Sequence, residues 1–317
     1  MYGAIIGDIV GSKYEFHNIK TKDFPLFSKG CDYTDDTIMT VAVARALLKS
    51  REEQAKTSGK GKSLHDFMVE EMQSLGRKYP YPTGAYGGNF AGWLKSKYPQ
   101  PYGSFGNGSA MRASACGIIA VALEEAEKLA CISAEVTHNH PEGIKGAQAV
   151  AGAVFLARCC KTKEEIREYI TKYYYPLDFS IDEIRPTYRF DVSCQGTVPP
   201  AIEAFLESTS FEDSIRNIIS IGGDCDTTGA VTGAVAWAYY NNDAHRLHPD
   251  KINPDMIALK EKAMSYLPGE FIETADLLHE TSSERVRKYH KLGGCRSLMT
   301  MEEWNNAVRS SDLSCEV

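Results

Sequence analysis

The chain has 317 residues, 43% of them hydrophobic and 24% charged, and its 35 Lys and Arg against 42 Asp and Glu give a formal net charge of −7. That composition is ordinary for a folded globular protein and excludes disorder, collagen or a continuous coiled coil as the main state. The acidic balance, with a pI near 5.7, gives no global attraction to nucleic acid, although a small basic pocket for a phosphate stays open. No run approaches the roughly 18 to 20 apolar residues of a membrane span. The opening segment MYGAIIGDIVGSKYE lacks the basic stretch of a secretion signal. The nine cysteines are scattered and odd in number, with no CxxC pair; Cys116, Cys131 and Cys159 sit inside apolar helical patterns and Cys159 and Cys160 are adjacent. Buried thiols in a reducing compartment fit that usage, so the expectation is a soluble cytoplasmic protein without a thiolate zinc site.

In chain order, the first feature is Gly7-Asp8-Ile9-Val10-Gly11-Ser12-Lys13-Tyr14-Glu15. Its first acid reads either as a functional carboxylate or as the exposed end of a helix. Next, Tyr33-Thr34-Asp35-Asp36-Thr37 leads into the apolar run IMTVAVARALL. Ala55–Lys62, polar and glycine-containing, reads as a surface loop. Leu64, Phe67, Met68, Met72 and Leu75 recur at spacings of three and four, which lines one face of a helix. Helical runs follow at GIIAVALEEAEKLA and GIKGAQAVAGAVFLARCC, and Thr162 with Glu165 forms a capping box before a helix reaching Tyr175. AIEAFLE, the signature Ser210 and Asp213 before SIRNIISIG, GAVTGAVAWAYY and MIALKEKAMSYL complete the series. Loops rich in Gly, Pro and Tyr are expected at 79–92, 98–110, 137–143 and 176–200. Alternation of period two is nearly absent, and no linker composition or fixed repeat appears. The fold class is all-α, with residues after Asn242 reading as more peripheral helices.

Two of these segments mirror each other. Thr34-Asp35-Asp36-Thr37 and Gly223-Asp224-Cys225-Asp226-Thr227-Thr228 each place two carboxylates and hydroxyls at the mouth of an apolar helix. One acid suffices to cap a helix and complement its dipole. A second unpaired acid at a buried mouth is costly. Two divalent cations would balance the four carboxylates, and hard Asp and Thr oxygens suit Mg²⁺ or Mn²⁺. Spacing alone leaves capping and metal binding both open. Gly106-Asn107-Gly108-Ser109-Ala110-Met111-Arg112 precedes a helix, and reads either as a loop that turns N–H groups toward an anion or as an ordinary glycine turn. In Thr137-His138-Asn139-His140-Pro141-Glu142-Gly143 the two histidines at i and i+2 would bind metal on a barrel strand, and no strand pattern exists. His138 therefore reads as a ligand-pocket residue and His140 as a loop residue before proline.

Together, GDIVGSKYE, YTDDTIMT, FGNGSAMR, THNHPEGIKGA, TVPPAIEAF and SIGGDCDTTGAVTGA resemble the motifs of the ADP-ribosylglycohydrolase family, in the family's order, over about residues 1 to 242. The resemblance implies a compact single-domain orthogonal helical bundle around two Mg²⁺ or Mn²⁺ ions, with a motif-bearing core at 1–242 and a C-terminal extension at 243–317. It implies that Thr34, Asp35 and Asp36 supply one half of the metal shell and Asp224, Asp226 and Thr227 the other. Glu15 matches a mobile glutamate near the scissile bond. Asn107, Gly108, Ser109 and Met111 would hold the diphosphate and ribose, His138 would flank the ADP-ribose, Val198 would lie near the adenine, and Gly87 and Gly88 would form a ribose-side loop. Thr227 is followed by a second threonine, so the register of the hydroxyl ligand is open, and nothing after Asn242 matches.

The implied reaction is hydrolysis of the bond between ADP-ribose and an acceptor, through an oxocarbenium-like sugar. Glu15, Asp35 or Asp36 would move the proton. The substrate is expected to be an ADP-ribosylated protein or a small ADP-ribose conjugate, with ADP-ribose as product and arginine as the first acceptor to test, ahead of serine and O-acetyl-ADP-ribose. Other readings are a module that binds ADP-ribose or a nucleotide without turnover, a structural protein such as the lens crystallin that resembles this fold, and a metal-dependent hydrolase of an unrelated substrate. Tyr14, Phe16, Tyr86, Tyr102 and Phe105 would line the acceptor pocket or serve as packing. No membrane and no general nucleic-acid partner is expected, and a monomer is the default.

Overall fold

A computed structural model describes residues 1–57, 61–241 and 254–291. The first helix, α1 (Tyr2–Ser12), is buried along its whole length. A helix surrounded by protein on all sides needs an apolar sequence and close neighbours, and its composition supplies both. Gly3, Gly7 and Gly11 form one stripe at i, i+4, i+8. The stripe lies against Gly233, Gly229 and Cys225 of α12 (Cys225–Tyr240). A Cβ on Gly7 would fall 1.9 Å from the Gly229 carbonyl oxygen, and one on Gly3 2.1 Å from that of Gly233. The two backbones therefore touch directly, as the small residues in both runs allow.

Around this pair the chain winds α2 (Asp35–Thr57), α3 (Leu64–Lys78), α4 (Gly88–Lys95), a 3₁₀ turn at Asn107–Ser109, α5 (Ser114–Ile119), α6 (Leu123–Glu135) and α7 (Pro141–Arg158). Then follow α8 (Lys163–Tyr173), α9 (Ile181–Ile184), α10 (Cys194–Leu206) and α11 (Phe211–Ile219), with α13 (Pro254–Met264) and α14 (Gly269–Lys291) after α12. Among the described residues there is no strand, only isolated bridges pairing Thr34 with Thr83 and Gly106 with Ser193. The fold is all-α.

Local chemistry sets the helix ends. Ser63 accepts from the Asp66 amide at the start of α3, and Thr162 with Glu165 closes the capping box that opens α8. Ser210 accepts from the Asp213 amide to open α11. On α3, Met68, Met72 and Leu75 are fully buried, with Leu64 and Phe67 partly buried beside them. His140, expected as a loop residue, is the N-cap of α7 and accepts from the Glu142 amide.

Several expected loops and runs are divided differently. The run GIIAVALEEAEKLA breaks at Ala120–Ala122, where Glu125, in the first turn of α6, turns back to accept from the Val121 amide. Ala55–Thr57 belong to the last turn of α2 rather than to the loop. Helix α4 occupies the end of the expected loop 79–92 and part of the chain after it. Helix α10 begins inside the stretch expected as loop 176–200 and carries Pro199 and Pro200 in its interior. A proline at 200 removes the N–H that would bond to the Gly196 carbonyl. The Tyr188 hydroxyl donates to that oxygen instead, at 2.9 Å.

The C-terminal helices are less peripheral than their composition indicates. Phe271, Ala275 and Leu278 of α14 are fully buried. Arg285 of α14 and Arg51 of α2 both reach the buried Glu125 at 2.9 Å, and Ser282 donates to the Ile118 carbonyl. Losing one cation from that triad leaves part of a buried charge uncompensated.

Replacing Gly7 with Ala forces a methyl into the α12 backbone, and is expected to destabilise the fold by about 3 kcal/mol, read as a lowered thermal midpoint. Gly92→Ala on α4, where a Cβ meets nothing within 4 Å, is expected to stabilise by about 0.5 kcal/mol through reduced chain entropy. Equal effects at the two positions would contradict the close-packed α1–α12 seam.

Candidate active site

The α1–α12 seam delivers acidic residues from three parts of the chain to one place. Asp8, midway along α1, is fully buried. It accepts from the Thr34 amide (3.0 Å), the Thr34 hydroxyl (2.7 Å), the Thr37 amide (3.1 Å) and the Thr37 hydroxyl. It thus caps α2 from another helix, and the reading of Asp8 as an exposed helix end is overturned. Asp35 and Asp36 then fall in the first turn of α2. The Thr34 hydroxyl also accepts from the Asp36 amide.

After α1, Lys13–Asn18 folds back across the mouth of α12. Asn18 ties the two together. Its amide donates to the carbonyls of Tyr14, Glu15 and Gly223 and accepts from the Gly223 amide at 2.8 Å. Gly222 and Gly223 take left-handed φ values of +68° and +85°, which glycine tolerates without a Cβ clash. The staple places Glu15 beside Asp224 and Asp226. One carboxylate oxygen from each of the three lies within 4.8 Å of the other two.

The remaining bonds fix individual oxygens. Asp224 Oδ2 accepts from Asn107 Nδ2 at 2.7 Å, and the same amide donates to Thr197. Thr227 donates from its hydroxyl to Asp36 Oδ2 at 3.1 Å, joining the two helix mouths directly. Asp226 Oδ1 accepts from the Thr227 amide. Two oxygens are left over: Glu15 Oε2 and Asp36 Oδ1 are buried with no hydrogen-bond partner.

Crowding of buried like charges shows in the proton affinities. Burial, then repulsion from Asp226 and Asp8, pushes Glu15 up to about 8. Burial, then Asp226, raises Asp8 to about 7 against the pull of its hydrogen bonds from Thr37 and Thr34. Asp35, Asp36 and Asp224 are held well above the usual carboxylate range, again by burial first and Asp226 second.

A cavity of about 440 Å³ opens over these groups. Of the residues singled out in the sequence, Glu15, Asp35, Asp36, Asp224, Asp226 and Thr227 line it, with Gly87, Gly88, Asn107, Gly108, Met111 and His138. Thr34, Ser109 and Val198 do not. Thr34 turns its hydroxyl to Asp8, and Ser109 donates to the Gly143 carbonyl at 2.6 Å. Val198 is fully buried within α10, and the half-exposed Val192 lines the cavity instead. Phe16 and Phe190 stack at the mouth with centroids 6.2 Å apart. Of the aromatics expected near the acceptor, Phe16, Tyr86 and Tyr102 line the cavity, whereas Tyr14 packs edge-on against Phe24 and Phe105 against His140. A larger cavity of about 600 Å³ between α2 and α14 lies away from this chemistry, and Arg45 and Arg51 in its wall are ion-paired to Glu270 and Glu125.

Sequence reasoning passed over Asn18, Thr37, Thr197 and Arg112 as working parts of this region. Asn18 has no sequence signature. Thr37 and Arg112 stand inside motifs already noted, and a partner for each became visible only once α1 and the 133–137 segment were packed beside them.

An all-α scaffold that converges buried carboxylates from two helix mouths and a preceding loop on one cavity defines a protein with a hard-donor acidic centre. The comparisons with known proteins define it further. Residues 1–253 match the family described as ADP-ribosylglycohydrolase, and the chain belongs to that family. It is 24% identical to the mouse (Mus musculus) protein named ADP-ribosylhydrolase ARH3 over 321 aligned residues, covering 75% of this chain and 82% of the relative. The human (Homo sapiens) protein of the same name is 25% identical, with 76% and 84% covered. A solved structure titled ADP-ribosylglycohydrolase-related protein complex superposes with a TM-score of 0.58 at 20% identity, over 90% of this chain and 94% of that one, and shows the shared fold. The chain is accordingly an ADP-ribosyl hydrolase in the general sense that its family defines.

In divalent-free buffer the raised carboxyl groups give a definite pH dependence. Each binds its proton more tightly folded than unfolded, so their stability contribution is complete near pH 4 and is lost as pH rises through 7 to 8. The thermal midpoint in chelator is expected to fall from pH 5 to pH 8; a flat or rising midpoint would contradict the buried acidic cluster.

Proposed function

We propose that the protein hydrolyses the glycosidic bond between ADP-ribose and an acceptor, releasing ADP-ribose, at a centre that holds two Mg²⁺ or Mn²⁺ ions. The observation that carries this reading is the pair of partnerless buried oxygens, Glu15 Oε2 and Asp36 Oδ1, in one cavity with Asp35, Asp224 and Asp226. Buried anionic oxygens without donors require a cation or a proton. The donor set is all oxygen, which fits a hard divalent ion. Asp35, Asp36, Asp224, Asp226 and Thr227 would hold the ions. Thr34 would join them, since donating its proton to Asp8 leaves an oxygen lone pair available. When bound, such ions lower the pKa of water and fix the ribose hydroxyls.

The chain's own residues do the rest. Asp8 and Thr37 hold the first turn of α2 in place, and Asn107 keeps Asp224 oriented. Glu15 stands at the cavity side and is the proton-moving group in this reading, with Asp35 and Asp36 beside it. Gly84, at φ +82°, roofs Glu15: a Cβ there would lie 2.9 Å from Oε2. The Gly106–Ser109 turn and Met111 would receive the diphosphate and ribose, with Gly87 and Gly88 opposite.

Arginine is the proposed acceptor, in a protein or a small conjugate. A guanidinium stacks on aromatic faces and pairs with carboxylates, and the mouth offers the exposed Phe16 and Phe190 next to Glu15. The proposal extends to one domain made of the core 1–242 and the extension 243–317, acting as a cytoplasmic monomer. Among the described residues no helix is long and apolar enough to cross a membrane.

The test is release of ADP-ribose from ADP-ribosyl-arginine, an ADP-ribosyl-serine peptide and O-acetyl-ADP-ribose, each with Mg²⁺, Mn²⁺ or chelator. Metal-dependent release from the arginine substrate is expected; release from another member of the panel moves the acceptor, and tight ADP-ribose binding without any release favours a binding module. Asp36→Asn and Asp224→Asn are expected to weaken divalent-ion binding and activity together, each by roughly 100-fold or more. Full activity in either at low Mg²⁺ would overturn the ligand assignment.

A further inference from the structure

Arg112 is an unusual residue for its position. It is 1% exposed, it lines the cavity wall, and among the described residues no ion pair joins it to an acid. Its Nη2 donates to the Ser133 carbonyl at 2.9 Å and to the Thr137 hydroxyl oxygen at 2.8 Å. His138 Nδ1 lies 2.7 Å from that same hydroxyl oxygen. We propose that Arg112 and Thr137 are positioning residues that fix the hydrogen-bond polarity of His138, so that its Nε2 presents a hydrogen to the ligand in the cavity.

The direction follows from what each group can give. A guanidinium has donors only, so the Thr137 oxygen receives from Arg112. The hydroxyl hydrogen is then turned away from the cation, and His138 Nδ1, 2.7 Å from that oxygen, stands to receive it, with the Tyr102 ring packed beside the imidazole at 5.8 Å between centroids. A lone pair on Nδ1 facing the guanidinium is favourable, whereas an N–H dipole facing it is repelled, and burial strengthens the preference. Nδ1 is therefore the acceptor. The ring stays neutral, because burial and then Arg112 hold it well below its ordinary value. A neutral imidazole with Nδ1 accepting carries its hydrogen on Nε2.

That nitrogen sits against the diphosphate-side turn. A Cβ on Gly108 would lie 3.1 Å from Nε2, and one on Gly106 3.5 Å away. Neither glycine carries a side chain that would crowd Nε2, and the ring and both glycines line the same cavity, so a ligand oxygen can approach the nitrogen from the cavity side. A fixed, uncharged donor at this point selects an oxygen acceptor, of a ribose hydroxyl or a diphosphate, without adding a buried cation. The ligand's identity rests on the proposed function; the polarity of the ring does not.

The tautomer is readable in long-range ¹H–¹⁵N spectra of the full chain labelled at histidine. Wild type is expected to show an unprotonated Nδ1 and a protonated Nε2 for His138. Thr137→Val removes the donor to Nδ1, and is expected to shift His138 toward a mixed tautomer and to raise the ADP-ribose Kd roughly tenfold. It should raise KM by a similar factor while kcat stays within about twofold, the split expected of lost ground-state binding. Thr137→Ser keeps the hydroxyl and is expected to restore both the spectrum and the affinity. Tyr102→Phe is expected to leave the tautomer as in wild type. A protonated Nδ1 in wild type, a tautomer change in Tyr102→Phe, or a Thr137→Val protein with unchanged Kd would overturn the proposal. Failure of wild type to bind ADP-ribose, with the tautomer as stated, would count against the proposed function alone.

Discussion

The contact on which the site depends is made by glycine. Along α1, Gly3, Gly7 and Gly11 bring its backbone against Gly233, Gly229 and Cys225 of α12. Side chains larger than hydrogen on this stripe would push the helices apart by about the length of a bond or more. Asp8 would then leave Thr34 and Thr37, and the loop bearing Glu15 would lift from the mouth of α12. The arrangement of the acidic site is thus set by backbone proximity first and by side-chain chemistry second. Close packing of interiors is what makes such a seam intolerant of one methyl group.

The seam assembles a cluster that opposes folding. Glu15, Asp8, Asp35, Asp36 and Asp224 crowd around Asp226 in a region where burial disfavours the charge of these five and repulsion from Asp226 adds to it. Hydrogen bonds relieve part of this: Asp8 receives four donors, Asp224 takes the Asn107 amide, and Asp36 takes the Thr227 hydroxyl. Glu15 Oε2 and Asp36 Oδ1 receive none. Natural proteins keep local conflicts of this kind where function uses them, and here the two residues that carry the unrelieved oxygens line the cavity.

Much of this was legible in the sequence, and the exceptions have physical causes. The mirrored acidic segments were visible because two carboxylates at one helix mouth exceed what capping needs, and the apolar runs behind them gave the helices. Asp8 was ambiguous because its four donors come from residues 26 and 29 positions away, which no local pattern reveals. Val198 was placed at the ligand, yet it faces the core of α10, because helical phase decides its direction and the prolines at 199 and 200 obscured where that helix begins. The loop at 176–200 hid α9 and the start of α10 for the same reason: proline reads as a breaker unless a partner such as Tyr188 is available to satisfy the freed carbonyl.

The central claim is that these carboxylates converge in order to hold divalent cations. Crystals grown with Mn²⁺ and measured for anomalous scattering test it most directly. Two peaks about 4 Å apart at the floor of the cavity, within coordination distance of Asp36, Asp224 and Asp226, are the result expected. Ordered side chains with no anomalous peak among them, at Mn²⁺ concentrations that saturate any binding seen in solution, would contradict it.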